Sequence, residues 1–211
     1  MWCIQKITQE YRTRMYRLLD LYKLPYDPQF PVVCMDEKSK QLLEDIRQPI
    51  SAKPGSPEKY DYEYKRKGTC NIFMAVEAKA GKRFVEVTDT RTKADFAYFI
   101  EQLIARFSKS VCIQLVLDNL NTHFESSLLE TFGKVKTKKL MKQIKFIYTP
   151  KHASWLNMAE IETNIMDRQC TGGRIENKKK LSHNVQQWKK RETKTKQQLN
   201  GSSHDRMQTG N

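Results

Sequence analysis

Residues 111–124 read VCIQLVLDNLNTHF, and this stretch decides the fold. From Val111 to Leu117 only Gln114 interrupts an apolar run. Because the run does not alternate, it predicts a central strand covered on both faces. It ends abruptly at Asp118-Asn119, and an acid at the end of a buried run needs water, a hydrogen-bond partner or a cation. Thr122-His123-Phe124-Glu125 then fits the T-x-x-E capping box, predicting a helix through Leu128, Leu129 and Phe132 that Gly133 ends. Asp118 and Asn119 therefore sit at a strand-to-helix turn.

Working outward, TQEYRTRMYRLLDLYK (8–23) places Tyr11, Met15, Leu18, Leu19 and Tyr22 on one face of a helix that Pro25 and Pro31 terminate. PVVCMDE predicts a short strand, also finishing on an acid. RQPISAKPGSPEK (47–59) reads as an extended surface loop, and the segment after it divides at KRKG and AKAG into three strand-like pieces of a meander. Thr92 caps a helix whose face is Phe96, Phe99, Leu103 and Phe107. A basic connector (134–143), a strand at IKFIYTP and a helix capped by Ser154 follow. Together these elements predict an α/β fold, a mixed sheet flanked by helices.

The 211 residues suffice for one good-sized domain with appendages. No segment approaches the apolar length of a membrane span, and the N-terminus lacks a signal core, so the expectation is a cytoplasmic protein with no membrane partner. Five scattered cysteines without a C-x-x-C pair predict reduced fillers and neither a zinc site nor a disulfide framework. The formal charge of +14 points to a polyanionic partner, nucleic acid first. From residue 163 onward eleven Lys/Arg face four Asp/Glu, which predicts a mobile basic tail from 171 to 211 that holds at most a short helix around Val185 and Trp188.

Asp36 and Asp118 end two predicted strands, and ligands in α/β folds collect at the carboxyl ends of strands. If those strands are neighbours, the two carboxylates repel each other unless a cation joins them, and oxygen-only donors suit Mg²⁺ or Mn²⁺. A third acid comes from the helix after Ser154. Glu160 and Glu162 project about 200° apart, so only one faces the crevice. Glu160 shares a polar stripe with Asn157 and Asn164 and is the better choice.

MDEK (35–38), LVLDNLNTH (115–123) and TPKHASWLNMAE (149–160), in this order, resemble the catalytic domain of the mariner-like superfamily of bacterial insertion-sequence transposases. The resemblance covers about residues 29–170 and includes the KPG-containing loop. It implies a ribonuclease-H-like fold and a DDE site with Asp36, Asp118 and Glu160 holding two Mg²⁺ or Mn²⁺ ions. The implied activity is metal-dependent cleavage and joining of DNA strands, with double-stranded DNA (transposon ends and target) as the partner and a homodimer as the assembly. Residues 1–28 resemble only the linker helix before that domain, so the family's helix-turn-helix region is not expected here and the chain reads as a truncated remnant.

Auxiliary positions follow from the same motifs. His123 either helps order the site or is exposed at a helix start. Asn119 and Asn157 match motif positions, although Asn119 alone would complete a turn. Candidate DNA contacts are Lys38, Lys151, Trp155, Lys178, Lys179 and Lys180. For Lys38 the alternative is a solvated lysine, and for Trp155 a buried aromatic is the expected arrangement. Two rival functions remain: a ribonuclease-H-like nuclease that does not join, and a catalytically silent DNA-binding remnant.

Overall fold

The computed structural model describes residues 7–208, with side chains through Thr193; Cys3 and the tail residues 209–211 lie outside the described residues. Five strands form one sheet in the order β3-β2-β1-β4-β5, where β1 is Val32–Asp45, β2 Tyr64–Glu77, β3 Lys82–Thr88, β4 Ile113–Leu117 and β5 Ile144–Tyr148. β1 and β4 pair in parallel, as do β4 and β5. The predicted run 111–117 supplies an interior strand beside the middle strand β1; it is strand from Ile113, with Leu115, Val116 and Leu117 fully buried, while Val111 is exposed.

The chain divides into two compact units, with boundaries inside β1 after Asp36, inside β2 before Met74 and inside β3 after Phe84. The first unit holds the helix α1 (Gln9–Lys23), helices α2 (Lys93–Arg106) and α3 (Glu125–Met141), strands β4 and β5, and most of the helix α4 (Met158–Met166). Its core joins Leu18 and Leu21 of α1 to Cys34, Val76, Val116 and Ile147 of the sheet and to Leu156 and Ala159 at the start of α4. Tyr11, Met15, Leu19 and Tyr22 pack against it, the predicted face of α1. Thr92 caps α2 in a reciprocal capping box with Asp95.

Several expectations change. KRKG does not interrupt the meander; Gly68, at φ 94°, lets β2 continue through it as one long strand, so the meander has two pieces after β1. The 47–59 segment closes on itself through the pairs Ile50–Lys59 and Lys53–Ser56. Its tip, Lys53-Pro54-Gly55-Ser56, has Pro at the second position and Gly55 at φ 78°, as a type II turn requires. Gly133 (φ 73°, ψ 172°) is non-helical and ends the first helical stretch of α3 as expected, but a second helical stretch follows directly, so the basic connector is helix with Thr137 and Leu140 buried. Lysine and leucine are good helix formers, so no loop was needed there.

The second unit contains Glu37–Phe73, Val85–Thr90 and residues from Asn164 onward. After a π-turn at Asp167–Thr171, a helix, α5, runs over Lys178–Gln208 where a mobile tail was expected. Leu181, Val185 and Trp188 recur at helical spacing and are buried, and Trp188 donates its indole N–H to Gln169 at 2.8 Å. Three apolar residues among many lysines are a weak sequence signal, but they suffice to seat one face. No described helix is long and apolar enough to cross a membrane. If α5 is part of the folded unit, Trp188→Ala should destabilise the protein by about 3–5 kcal/mol. Urea unfolding measures this, and an unmoved midpoint would return the segment to the status of a tail.

Candidate active site

Val32, Val33 and Cys34 of β1 pair with Gln114, Leu115 and Val116 of β4. Continuing that register two residues further sets Asp36 opposite Asp118. Neighbouring strands lie about 4.8 Å apart, and in a parallel pair matched residues point to the same face. Asp36 thus lies two residues past the last β1–β4 pair, Cys34–Val116, and Asp118 directly follows the end of β4, so the acids leave two strands that are neighbours in the sheet.

Asp118 sits in a closed turn. Its Oδ1 accepts from the Leu120 N–H at 3.2 Å and lies 2.6 Å from His123 Nδ1. Burial pushes the Asp118 carboxyl up, but the His123 hydrogen bond and charge, with Leu120 and Arg91, outweigh it and hold Asp118 below the usual carboxylate value. Since the carboxylate is ionised and only accepts, Nδ1–H of His123 is the donor. His123 is fully buried, stacked 4.9 Å from the Phe96 ring, and its carbonyl accepts from Tyr148 Oη at 2.8 Å. This burial overturns the expectation of an exposed His123. It also explains why Thr122 does not cap α3: the turn closes onto Asp118, α3 begins only at Glu125 without a side-chain cap, and the Thr122 carbonyl accepts from Ser127 instead.

Asn119 completes more than a turn. Its Nδ2 donates to the Thr149 carbonyl at 2.7 Å, and its Oδ1 accepts from Arg14 of α1 at 3.3 Å. The expected linker helix therefore reaches the wall of the site. Asp118, Asn119, Thr149, Lys151, His152 and Ser154 line a cavity of about 300 Å³. His152 has φ 58°, a conformation that non-glycine residues seldom adopt.

Ser154 opens a 3₁₀ turn, Ser154–Leu156, and does not cap α4. Asn157 does that: its Oδ1 accepts from Ala159 N–H at 3.1 Å, while its Nδ2 donates to the Met35 carbonyl at 2.7 Å. That second bond ties α4 to β1 at the residue before Asp36. Asn157 is only 1% exposed, so it belongs to the framework and not to an open polar stripe. Glu162 is buried against Arg83 of β3, with Nε–Oε2 2.6 Å. Glu160 is half-buried, and no described residue hydrogen-bonds or ion-pairs with its carboxylate. The choice of Glu160 over Glu162 is thereby favoured.

The donor chemistry of Asp36, Asp118 and Glu160 fits a hard divalent ion: all are carboxylates, two share a register, and the third lacks a protein partner. Among the described residues, however, no group of three His, Cys, Asp or Glu side chains is gathered closely enough to hold a metal ion.

The proposed DNA contacts divide. Lys151 is exposed, and Trp155, expected to be buried, is 63% exposed. The 3₁₀ turn rotates it outward while Leu156 takes the core position. Lys38 is engaged with Asp167 at 2.9 Å. In the second unit Lys178 pairs with Asp89 at 2.5 Å, Lys180 approaches Glu176 at 3.8 Å, and Lys179 is exposed. Arg14 and Arg83 had no motif to mark them in the sequence, because each matters through a neighbour distant along the chain.

A family model described as DDE superfamily endonuclease matches residues 31–182. No curated protein matches the chain. Among solved structures, the Mos1 mariner paired-end complex with Mn aligns at a TM-score of 0.55 with 13% identity, over 89% of this chain and 57% of that one. The Mos1 strand transfer complex gives 0.55 and 13% over 89% and 56%, and a pre-cleavage Mos1 transpososome 0.53 and 13% over 89% and 57%. At this identity the likeness is one of fold, an α/β fold of the ribonuclease-H-like kind, and the chain spans a little over half the length of those transposase chains. The family match covers most of the chain's length, and on it the chain belongs to the DDE superfamily endonucleases.

Proposed function

We propose that this chain is the catalytic portion of a transposase, performing metal-dependent cleavage of DNA strands and transfer of the freed 3′-hydroxyl end into a second duplex. The observation that supports the reading is the parallel pairing of β1 with β4, the strands that lead to Asp36 and Asp118, with α4 tied to β1 through Asn157. Asp36, Asp118 and Glu160 would hold two Mg²⁺ or Mn²⁺ ions, which supply activation of the attacking oxygen and stabilisation of the leaving oxygen in an in-line displacement. The Mn-containing Mos1 complex supports this choice of ion.

The chain's own residues contribute the remainder. His123 holds Asp118 ionised and fixes its carboxylate through Oδ1, leaving Oδ2 for a ligand. The cavity beside Asp118 admits the substrate strand, Lys151 meets its phosphates, and Trp155 offers an exposed face on which an unpaired base stacks. Water and a 3′-hydroxyl are alternative nucleophiles for the same phosphoryl transfer, so one site serves cleavage and joining. Double-stranded DNA, as transposon ends and as target, is the substrate, and the Mos1 paired-end complexes support a dimer as the working assembly.

With Mn²⁺ or Mg²⁺ the protein should nick duplex DNA, and Asp118→Asn should reduce nicking at least a hundredfold with little loss of stability. Nicking at the parental rate in that variant would sink the assignment. Joining is tested separately by supplying a pre-cut 3′-hydroxyl end with a second duplex: strand-transfer product is expected, whereas hydrolysis alone would identify a nuclease that does not join. Because α5 is packed, its role in DNA binding is best tested by Lys179→Ala with Lys180→Ala and not by truncation. The pair should weaken binding and lower the slope of log K against log salt by about one per lysine removed. An unchanged slope would assign both lysines to solvent.

A further inference from the structure

Arg83 on β3 and Glu162 on α4 are 5% and 7% exposed. Arg83 Nε donates to Oε2 at 2.6 Å and Nη2 to Oε1 at 3.0 Å, while Nη1 donates to the Gly81 carbonyl at 3.2 Å. A buried ion pair recovers its desolvation cost only with such two-pronged geometry, and apolar residues of similar volume often stabilise as well or better. Stability alone therefore does not account for charges at these two positions.

The consequence of the pair is geometric. A planar fork holding both carboxylate oxygens resists twisting about the bond axis, and so resists rotation of α4 about its own axis. Ala159, Thr163 and Met166 are buried on the same side of α4 as Glu162, whereas Ile161 is 60% exposed. Glu160 lies about 200° around the helix from Glu162. With side chains roughly 5 Å from the axis, a 20° turn of α4 would move the Glu160 carboxylate by about 2 Å. Misplacement of about 1 Å can cost a hundredfold in rate. Asn157 ties the start of α4 to β1 through the Met35 carbonyl and Ala159 seats it in the core, and the Arg83–Glu162 fork adds a two-bond directional contact further along the helix.

We propose that Arg83 is a positioning residue for the active site: by gripping Glu162 it sets the rotation of α4 that presents Glu160. The inference rests on the reading of Glu160 as the third acid of the site.

The test replaces both charges at once, Arg83→Met with Glu162→Leu, in the full chain, and follows thermal unfolding, Mn²⁺ binding by the electron paramagnetic resonance signal of the free ion, and nicking kinetics. The double variant should melt within a few degrees of the parent yet bind Mn²⁺ about 10- to 100-fold more weakly, with kcat for nicking reduced and KM for DNA unchanged. Parental Mn²⁺ affinity and kcat would overturn the proposal. Should the double variant fail to fold, Arg83→Lys keeps the buried charge but loses the fork; weaker Mn²⁺ binding in it supports the role, and parental binding overturns it. Glu160→Gln runs alongside. Unchanged Mn²⁺ binding there removes Glu160 from the site and takes the underlying reading with it, whereas weakened binding there with parental binding in the Arg83 variants overturns the positioning role alone.

Discussion

The parallel pairing of β1 with β4 is the constraint on which the site depends. Parallel ladders hold their register through evenly spaced backbone bonds, and burial of both strands on both faces makes a slip costly, since a one-residue shift would turn every side chain over. Val33, Cys34 and Met35 on one strand and Leu115, Val116 and Leu117 on the other are all essentially inaccessible to solvent. The buried part of the pairing ends before both acids: β1 continues as strand to Asp45 beyond Asp36, whereas β4 stops at Leu117, directly before Asp118.

The surrounding polar groups manage the acids' charge in different ways. Asp118 is held in its ionised form by a buried histidine whose ring is clamped by Phe96 and whose backbone is tied to Tyr148. Glu162 is neutralised by Arg83 inside the fold. Glu160 is half-buried, and among the described residues its carboxylate makes no hydrogen bond or ion pair.

Much of the architecture was legible in local patterns. The unbroken run 111–117 marked an interior strand, the i, i+4, i+7 face of α1 marked a packed helix, and Thr92 with Asp95 marked a true capping box. The failures share a cause. Thr122 and Ser154 carry the right side chains for caps, but the hydrogen bonds of Asp118 and Asn157 claim the neighbouring backbone first. KRKG and the lysine-rich connector looked like breaks because charge was taken for loop. Yet an exposed strand and an exposed helix tolerate lysine as readily as a turn does. Trp155 was expected inside because tryptophan usually buries its ring, and only the 3₁₀ turn shows that Leu156 takes that place.

The sequence by itself determined the α/β class and the basic character of the chain and singled out Asp36, Asp118 and Glu160 as candidates, because each is written in composition, in short-range periodicity or in ordered motifs. Tertiary structure alone decided that His123 serves Asp118, that Arg14 braces Asn119, that Asn157 anchors α4 to β1, and that Glu162 belongs to Arg83. Apart from His123 these pairs are far apart along the chain. A hydrogen bond between distant residues has no period and no spacing, and it exists only once packing has brought donor and acceptor within reach.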